Sequence, residues 1–292
     1  MNVTRLVAIN GVSIEEIYEH WRPIFPMVDG FETSFRARGW NPFIFRSMLQ
    51  YAGVIGDEEV VPITFRDVNG NEFIVESFFV EEMADVELVA HEVDHEGLIY
   101  TARQAENYYF RYFENDSMMY FRIWRAFEMP DRPSSEFVQG LKNEIVRLGG
   151  VRSFVIDSRI NVGGSTLEGF NDLIIWAMDE SNRRLLGDIY VIVDHMSFSA
   201  GVVHPLMWQH FVEDVIVIGE PTAGTLNGFG SILTQTMPNS QISFATSFSH
   251  IRLAGEGQPN SPLVPDIIVH RTLNDYLNNH DAVISAIRER SE

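Results

Sequence analysis

The rhythm of apolar and polar positions changes midway along this 292-residue chain. In the second half, continuous apolar runs, "VRSFVID", "DIYVIVD" and "DVIVIGEP", alternate with longer segments, "STLEGFNDLIIWAMDESNRR" and "SAGVVHPLMWQHFV". The runs predict buried strands; the longer segments predict helices, the second bent by Pro205. Such alternation implies parallel βαβ units and a sheet covered on both faces, with function gathered in the loops beyond the strands' C-terminal ends. Ahead of them, "SSEFVQGLKNEIVRLGG" predicts a helix opened by serine and closed by a glycine pair.

The first half alternates differently and predicts a small, mostly β domain over residues 1–85. "RLVAI" is a strand, Asn10-Gly11 a turn, and "SIEEIYEHWRPI" a helix whose Ser13 and Glu16 have capping-box spacing. An aromatic-rich, irregular or helical insert follows. "VVPITFRDVNGNEFIVESFFV" then reads as two strands joined across "NGN". Residues 86–118 read as a connector, ending at a polar "ENDS" turn between "NYYFRYF" and "MMYFRIWRAF", and residues 119–292 as the core domain.

Composition narrows the functions open to such a chain. A formal charge of -20, with no basic tract, argues against a nucleic-acid partner, because phosphate binding needs a basic surface. No apolar run approaches the roughly 20 residues of a membrane span, and the N-terminus lacks the layout of a signal peptide. The absence of cysteine removes disulfides, thiol nucleophiles and cysteine metal ligands together.

Three loops follow the buried strands: "DSRINVGGS", "DHMSFSAG" and "GEPTAGTLNGFG". In the second, Ser199 sits where a strand gives way to a helix, so its hydroxyl meets the helix's positive end beside small Ala200 and Gly201. The amide of Ala200 and one from the Gly163-Gly164 pair can form an oxyanion hole. The same residues also fit a serine that caps a helix and glycines that turn the chain. A separate zinc hydrolase reading rests on "HEVDH", with His91 and His95 four apart on one helical face and Glu114 as a third ligand. Against it, the segment reads as an acidic, solvated connector.

"FVIDSRINVGGS", "YVIVDHMSFSAG" and "VIGEPTAG", in this order, resemble the core of the serine peptidase family that contains the tail-specific (C-terminal-processing) proteases and the tricorn core. The likeness extends through "MPNSQISFATS" and "PLVPDIIV", and back to "RLVAINGVSIEEI", which is similar to the second half of a PDZ-like domain. The resemblance implies an α/β, crotonase-like core preceded by a partial PDZ-like domain, and an extended peptide or unfolded protein as substrate. It further implies that no cofactor is needed and that the setting is extracellular or in the cell envelope. It makes Ser199 the acylated nucleophile, with backbone donors from Gly163 or Gly164 and from Ala200.

Where the tail-specific branch has a lysine base, this chain has Thr225, which has no basicity near neutral pH. The tricorn branch uses a histidine upstream of the PDZ-like domain, helped by a glutamate for which Glu256 is the candidate. His195 and His204 flank Ser199 but read as loop and helix packing, and Glu220 as structural. The expectation is therefore a weak peptidase or a silent peptide-binding homologue, self-associating through an open "RLVAI" edge.

Overall fold

The computed structural model describes residues 4–24, 32–38, 41–67, 69–79, 94–164, 168–255 and 258–291. Backbone packing divides the chain into one unit of Met1–Met27 with Phe35–Val93 and another of Val28–Ser34 with Asp94–Glu292.

The smaller unit is built on β1 (Thr4–Ile9), β2 (Val12–Ser13), β3 (Val60–Asp67) and β4 (Glu72–Phe78), with α1 (Ile14–Trp21) after β2 and, before β3, the part of α2 (Glu32–Arg38) from Phe35 onward and α3 (Arg46–Tyr51). The strands form an antiparallel sheet in the order β2-β1-β3-β4. Asn10 and Gly11 turn β1 into β2 with φ of 49° and 78°, a left-handed pair that these two residues adopt at least cost. Ser13 caps α1 by accepting the amide of Glu16 at 3.2 Å. Ile17 and Trp21, four apart, turn one helical face onto Ile9, Leu49 and Val61. Strand β1 pairs with β3 and, at Ala8 and Ile9, with β2, so the expected open edge at "RLVAI" is confined to its beginning. Exposed β4 is the sheet's full-length edge.

The larger unit contains β5 (Tyr108–Phe113), β6 (Met118–Ile123), α4 (Ser134–Leu148), β7 (Ser153–Asp157), α5 (Glu168–Met178), α6 (Glu180–Arg183), β8 (Asp188–Val193), α7 (Ala200–Phe211) and β9 (Val215–Gly219). After these come β10 (Asn227–Thr236), β11 (Ser243–Arg252), β12 (Ile267–Ile268), α8 (Leu273–Leu277) and α9 (Ala282–Arg290). A six-stranded sheet runs β12-β9-β8-β7-β6-β5. It is parallel except at β5-β6, so it is mixed rather than wholly parallel. The turn Glu114–Asp116 is too short for a crossover and forces an antiparallel pair. Strand β5 thus comes from a segment expected to be a connector.

Alternate strand residues face opposite layers. Phe121, Phe154, Ile156, Val191 and Val193 pack with α4, α5 and α7, while Tyr120, Val155, Tyr190 and Ile192 pack with Val283, Ile284 and Ile287 of α9. This two-sided burial is why the strands read as continuous apolar runs. Ser134 opens α4 as its first residue, its amide and hydroxyl both bound by the Glu128 carboxylate at 2.6 Å. One helix departs from expectation. Asp179 ends α5 and caps the separate α6, dividing a segment expected to be one helix.

Candidate active site

The loops beyond β7, β8 and β9 are tied together. After β8, Asp194 folds its carboxylate back onto its own turn: Oδ1 accepts the amides of Met196 at 3.0 Å and Ile160 at 2.9 Å, and Oδ2 accepts Arg271 at 2.7 Å. Ser197 donates its hydroxyl to Ser158 O at 2.8 Å, joining the β8 loop to the β7 loop. The turn delivers Ser199 to the N-terminus of α7, exposed, with φ 54° and ψ -120°. An L-residue held there is strained by about 1–3 kcal/mol, and such strain collects at functional positions. A strained serine between strand and helix is also the geometry of a nucleophile elbow. Ser199 makes no side-chain capping bond to α7, so the simple cap expected from its position is absent.

The β7 loop meets Ser199 through glycine. A methyl replacing the inward hydrogen of Gly163 would lie 2.7 Å from Ser199 Cβ and 3.1 Å from its Oγ, so only glycine fits this contact. The two candidate glycine donors are not equivalent. The Gly163 amide donates to Asn161 Oδ1 at 2.9 Å, whereas the Gly164 and Ala200 amides have no acceptor among the described residues. Asn161 also accepts the Phe198 amide at 2.9 Å through its backbone carbonyl. Pro205 adds a further tie. Lacking an N–H, it leaves the Gly201 carbonyl without its helical donor, and Ser158 Oγ donates to that oxygen at 3.3 Å.

A buried ion network lies beneath the loops. Asp157, at the end of β7, accepts Arg122 at 2.8 Å, Arg159 at 2.5 Å and the Tyr120 hydroxyl at 2.6 Å, and Arg159 reaches Asp281 with both nitrogens at 2.9 Å. The Arg159 guanidinium lies over the Tyr100 ring. Burial alone would raise the Asp157 carboxyl; Arg122 and Arg159 overcome it and hold the group well below the usual carboxylate range.

Two histidines converge on Glu220 after β9: His195 at 2.9 Å and His270 at 3.2 Å. The bond to Glu220 raises the His195 imidazole above its ordinary value, against the opposing effect of burial. Burial would raise Glu220, but His195 and His270 bring it below the usual range. His195 and Glu220 line a cavity of about 300 Å³ with Tyr100, Arg271, Asp275 and His280. His204 lies in the core between Phe170 and Trp208, where burial pushes its imidazole down to about 3. It is therefore neutral near neutral pH.

The remaining sequence candidates lie elsewhere. Thr225 donates its hydroxyl to Asn227 O at 2.5 Å and accepts from Asn260 at 3.2 Å. Glu256 and His91 lie outside the described residues. His95 bonds Thr101 Oγ1 at 2.7 Å, and Glu114 sits in the exposed β5-β6 turn. Among the described residues, no three His, Asp or Glu side chains form a group suited to a metal.

Sequence reasoning missed Asn161, Asp194 and His270. The Asp-x-x-Ser spacing of Asp194 and Ser197 after a buried strand was a usable turn signal. His270, 50 positions from Glu220, carried none.

No family profile and no curated protein sequence matches this chain. Among solved structures, it is similar to mature CPAF complexed with lactacystin at 11% identity, over 98% of this chain and 76% of that one, with a TM-score of 0.54. A serine-to-alanine mutant of CPAF aligns at 12% identity over 98% and 75% of the two chains, TM-score 0.55. The tricorn protease aligns over 79% of this chain and 22% of its own at 18% identity, TM-score 0.45. At such identities the CPAF likeness establishes the fold.

Proposed function

We propose that this chain, whose fold is that of the tail-specific serine proteases, is a serine-type peptidase that cleaves peptide bonds through an acyl-enzyme on Ser199. The observation that carries the reading is the strained, exposed Ser199 at the head of α7 with Gly163 packed against it. Ser199 Oγ attacks the scissile carbonyl carbon and gives its proton to a base. The carbonyl oxygen becomes an oxyanion that accepts hydrogen bonds from the Ala200 and Gly164 amides. Collapse breaks the C–N bond, the departing amine takes the proton, and water then hydrolyses the ester to free the acid and Ser199. Each oxyanion donor contributes about 2.7–4 kcal/mol to such a step.

The assistance of a general base decides how fast the reaction runs. Among the described residues no side chain hydrogen-bonds Ser199 Oγ, and Thr225 occupies the lysine position with its hydroxyl engaged. Glu256 keeps its role as helper of a histidine base only by family resemblance. Without a base in place, turnover falls by about a hundred- to ten-thousand-fold. The same observation favours a second reading, a silent homologue that binds peptides without cleaving them. In both readings the N-terminal unit acts like a PDZ domain and takes an extended peptide as an added strand, for which the exposed edge of β4 is suited.

The separating experiment is hydrolysis of an unfolded protein by the wild-type chain and by Ser199→Ala. Slow cleavage that disappears in Ser199→Ala is expected. Equal cleavage by both would remove Ser199 from the mechanism, and retained peptide binding with no cleavage in either would establish the silent homologue. Cleavage lost on chelation, with one zinc per chain that His91→Ala abolishes, would instead establish the zinc hydrolase.

A further inference from the structure

Strands β10 and β11 pair with each other through nine register pairs and, among the described residues, with no other strand. A two-stranded ribbon is marginal in water unless something covers one of its faces. The register sets Phe229 opposite His250, Leu233 opposite Thr246 and Gln235 opposite Phe244. Side chains alternate along a strand, so Phe229, Leu233, Phe244 and Phe248 share one face. Met237 and Ile242, joined by a backbone bond of 2.9 Å, close that face at its tip.

All six side chains are exposed, from 41% at Phe244 to 75% at Phe229. Apart from Ile232 and Ile251, the opposite face is small and polar, with Thr234, Thr236, Ser243, Ser247 and Ser249. The ribbon is thus as amphipathic as a strand pair covering a core, yet among the described residues its apolar face stays exposed.

The chemistry of the face selects its occupant. Between residues 227 and 252 the only Asp, Glu, Lys or Arg is Arg252, in a chain of net charge -20. An uncharged face offers nothing to a partner recognised by charge. A chain this acidic keeps its copies apart through its charged surfaces, and an uncharged face is where a second copy meets the least local repulsion. Six side chains of this size and exposure present about 650 Å² of apolar surface, close to the ~800 Å² per partner of a standard interface and above the usual largest patch of a monomer.

We propose that the apolar face of the β10-β11 hairpin is a dimerisation surface that packs on the same face of a second copy across a twofold axis. Two ribbons then stack about 10 Å apart, as the layers of a β-sandwich do, and each Phe229 and Phe248 is buried by its counterpart. The proposal does not depend on the peptidase reading.

Sedimentation of the full chain over a range of concentrations tests it. The wild type is expected at twice the 33.4 kDa chain mass, with association strengthened by salt because salt screens the mutual repulsion. Phe229→Glu with Phe248→Glu should raise the dissociation constant by more than about 100-fold at unchanged circular dichroism. Ile175→Glu, which removes an exposed side chain on α5, should leave the dimer intact. Should the double variant misfold, hydrogen exchange of the wild type decides: amides of 229–248 should be protected at high concentration and released on dilution. A wild type monomeric throughout, or a dimer surviving the double substitution, would overturn the proposal. So would protection of 229–248 that appears only when an unfolded substrate protein is added, which would assign the face to substrate.

Discussion

Ser199 has φ 54° and ψ -120°, a region where an L-residue's Cβ crowds its own backbone. Glycine relieves that crowding, so Ser199→Gly should stabilise the chain by about 1 kcal/mol while Ser199→Ala stays near neutral. Urea denaturation measures both, and a destabilised glycine variant would remove strain from the account. Gly163→Ala should act in the opposite sense. Its methyl would press on Ser199 at 2.7 Å and its φ of 107° disfavours any side chain, so reactivity at Ser199 should vanish while the fold persists. The serine's place between strand and helix was legible in "YVIVDHMSFSAG". Its left-handed backbone was not, because serine there also reads as a helix cap, and only the absence of a capping bond separates the two. Nor could spacing distinguish Gly163 from Gly164, since the choice turns on the Asn161 side chain.

The crossing strands and helices were legible because two-sided burial writes itself as continuous apolar runs, and Gly149, at φ 73°, closes α4 as its glycine pair implied. Long-range ties between elements were not. Asp157 and Arg159 read as loop charges in "FVIDSRINVGG", yet they anchor β6, the β7 loop and α9 through a buried network completed by Asp281, 122 residues away. Asp157→Asn should lower stability by about 3–5 kcal/mol, because it leaves buried guanidinium charge uncompensated. A denaturation midpoint close to wild type would show the network to be dispensable. The His195–Glu220–His270 link joins the β8 loop, the end of β9 and the segment before α8. His195 is raised, so its contribution is complete below the ordinary imidazole value and is lost as pH rises through the raised one. Glu220 is lowered, so its contribution is lost only as pH falls through that lowered value. The β8 loop should therefore exchange amide hydrogens faster above the His195 transition, beyond the intrinsic effect of pH. His195→Gln should abolish that step, and a step that survives would place its origin outside the His195–Glu220 pair.

At the scale of the whole molecule, a small antiparallel unit accompanies a larger mixed α/β unit, and no helix among the described residues is long and apolar enough to cross a membrane. The charge argument against a nucleic-acid partner was legible in the sequence alone, because net charge and basic tracts are sums over the chain. The hairpin's unsatisfied face was not legible in that way. Its alternating apolar residues predict a half-buried strand without saying what buries it. We propose Ser199 as the nucleophile, and covalent labelling with a fluorophosphonate, read by intact mass and peptide mapping, decides whether it reacts. One adduct per wild-type chain is expected, on the peptide bearing Ser199, and none in Ser199→Ala. A wild type that stays unlabelled, or an adduct on another residue that persists in Ser199→Ala, would contradict it.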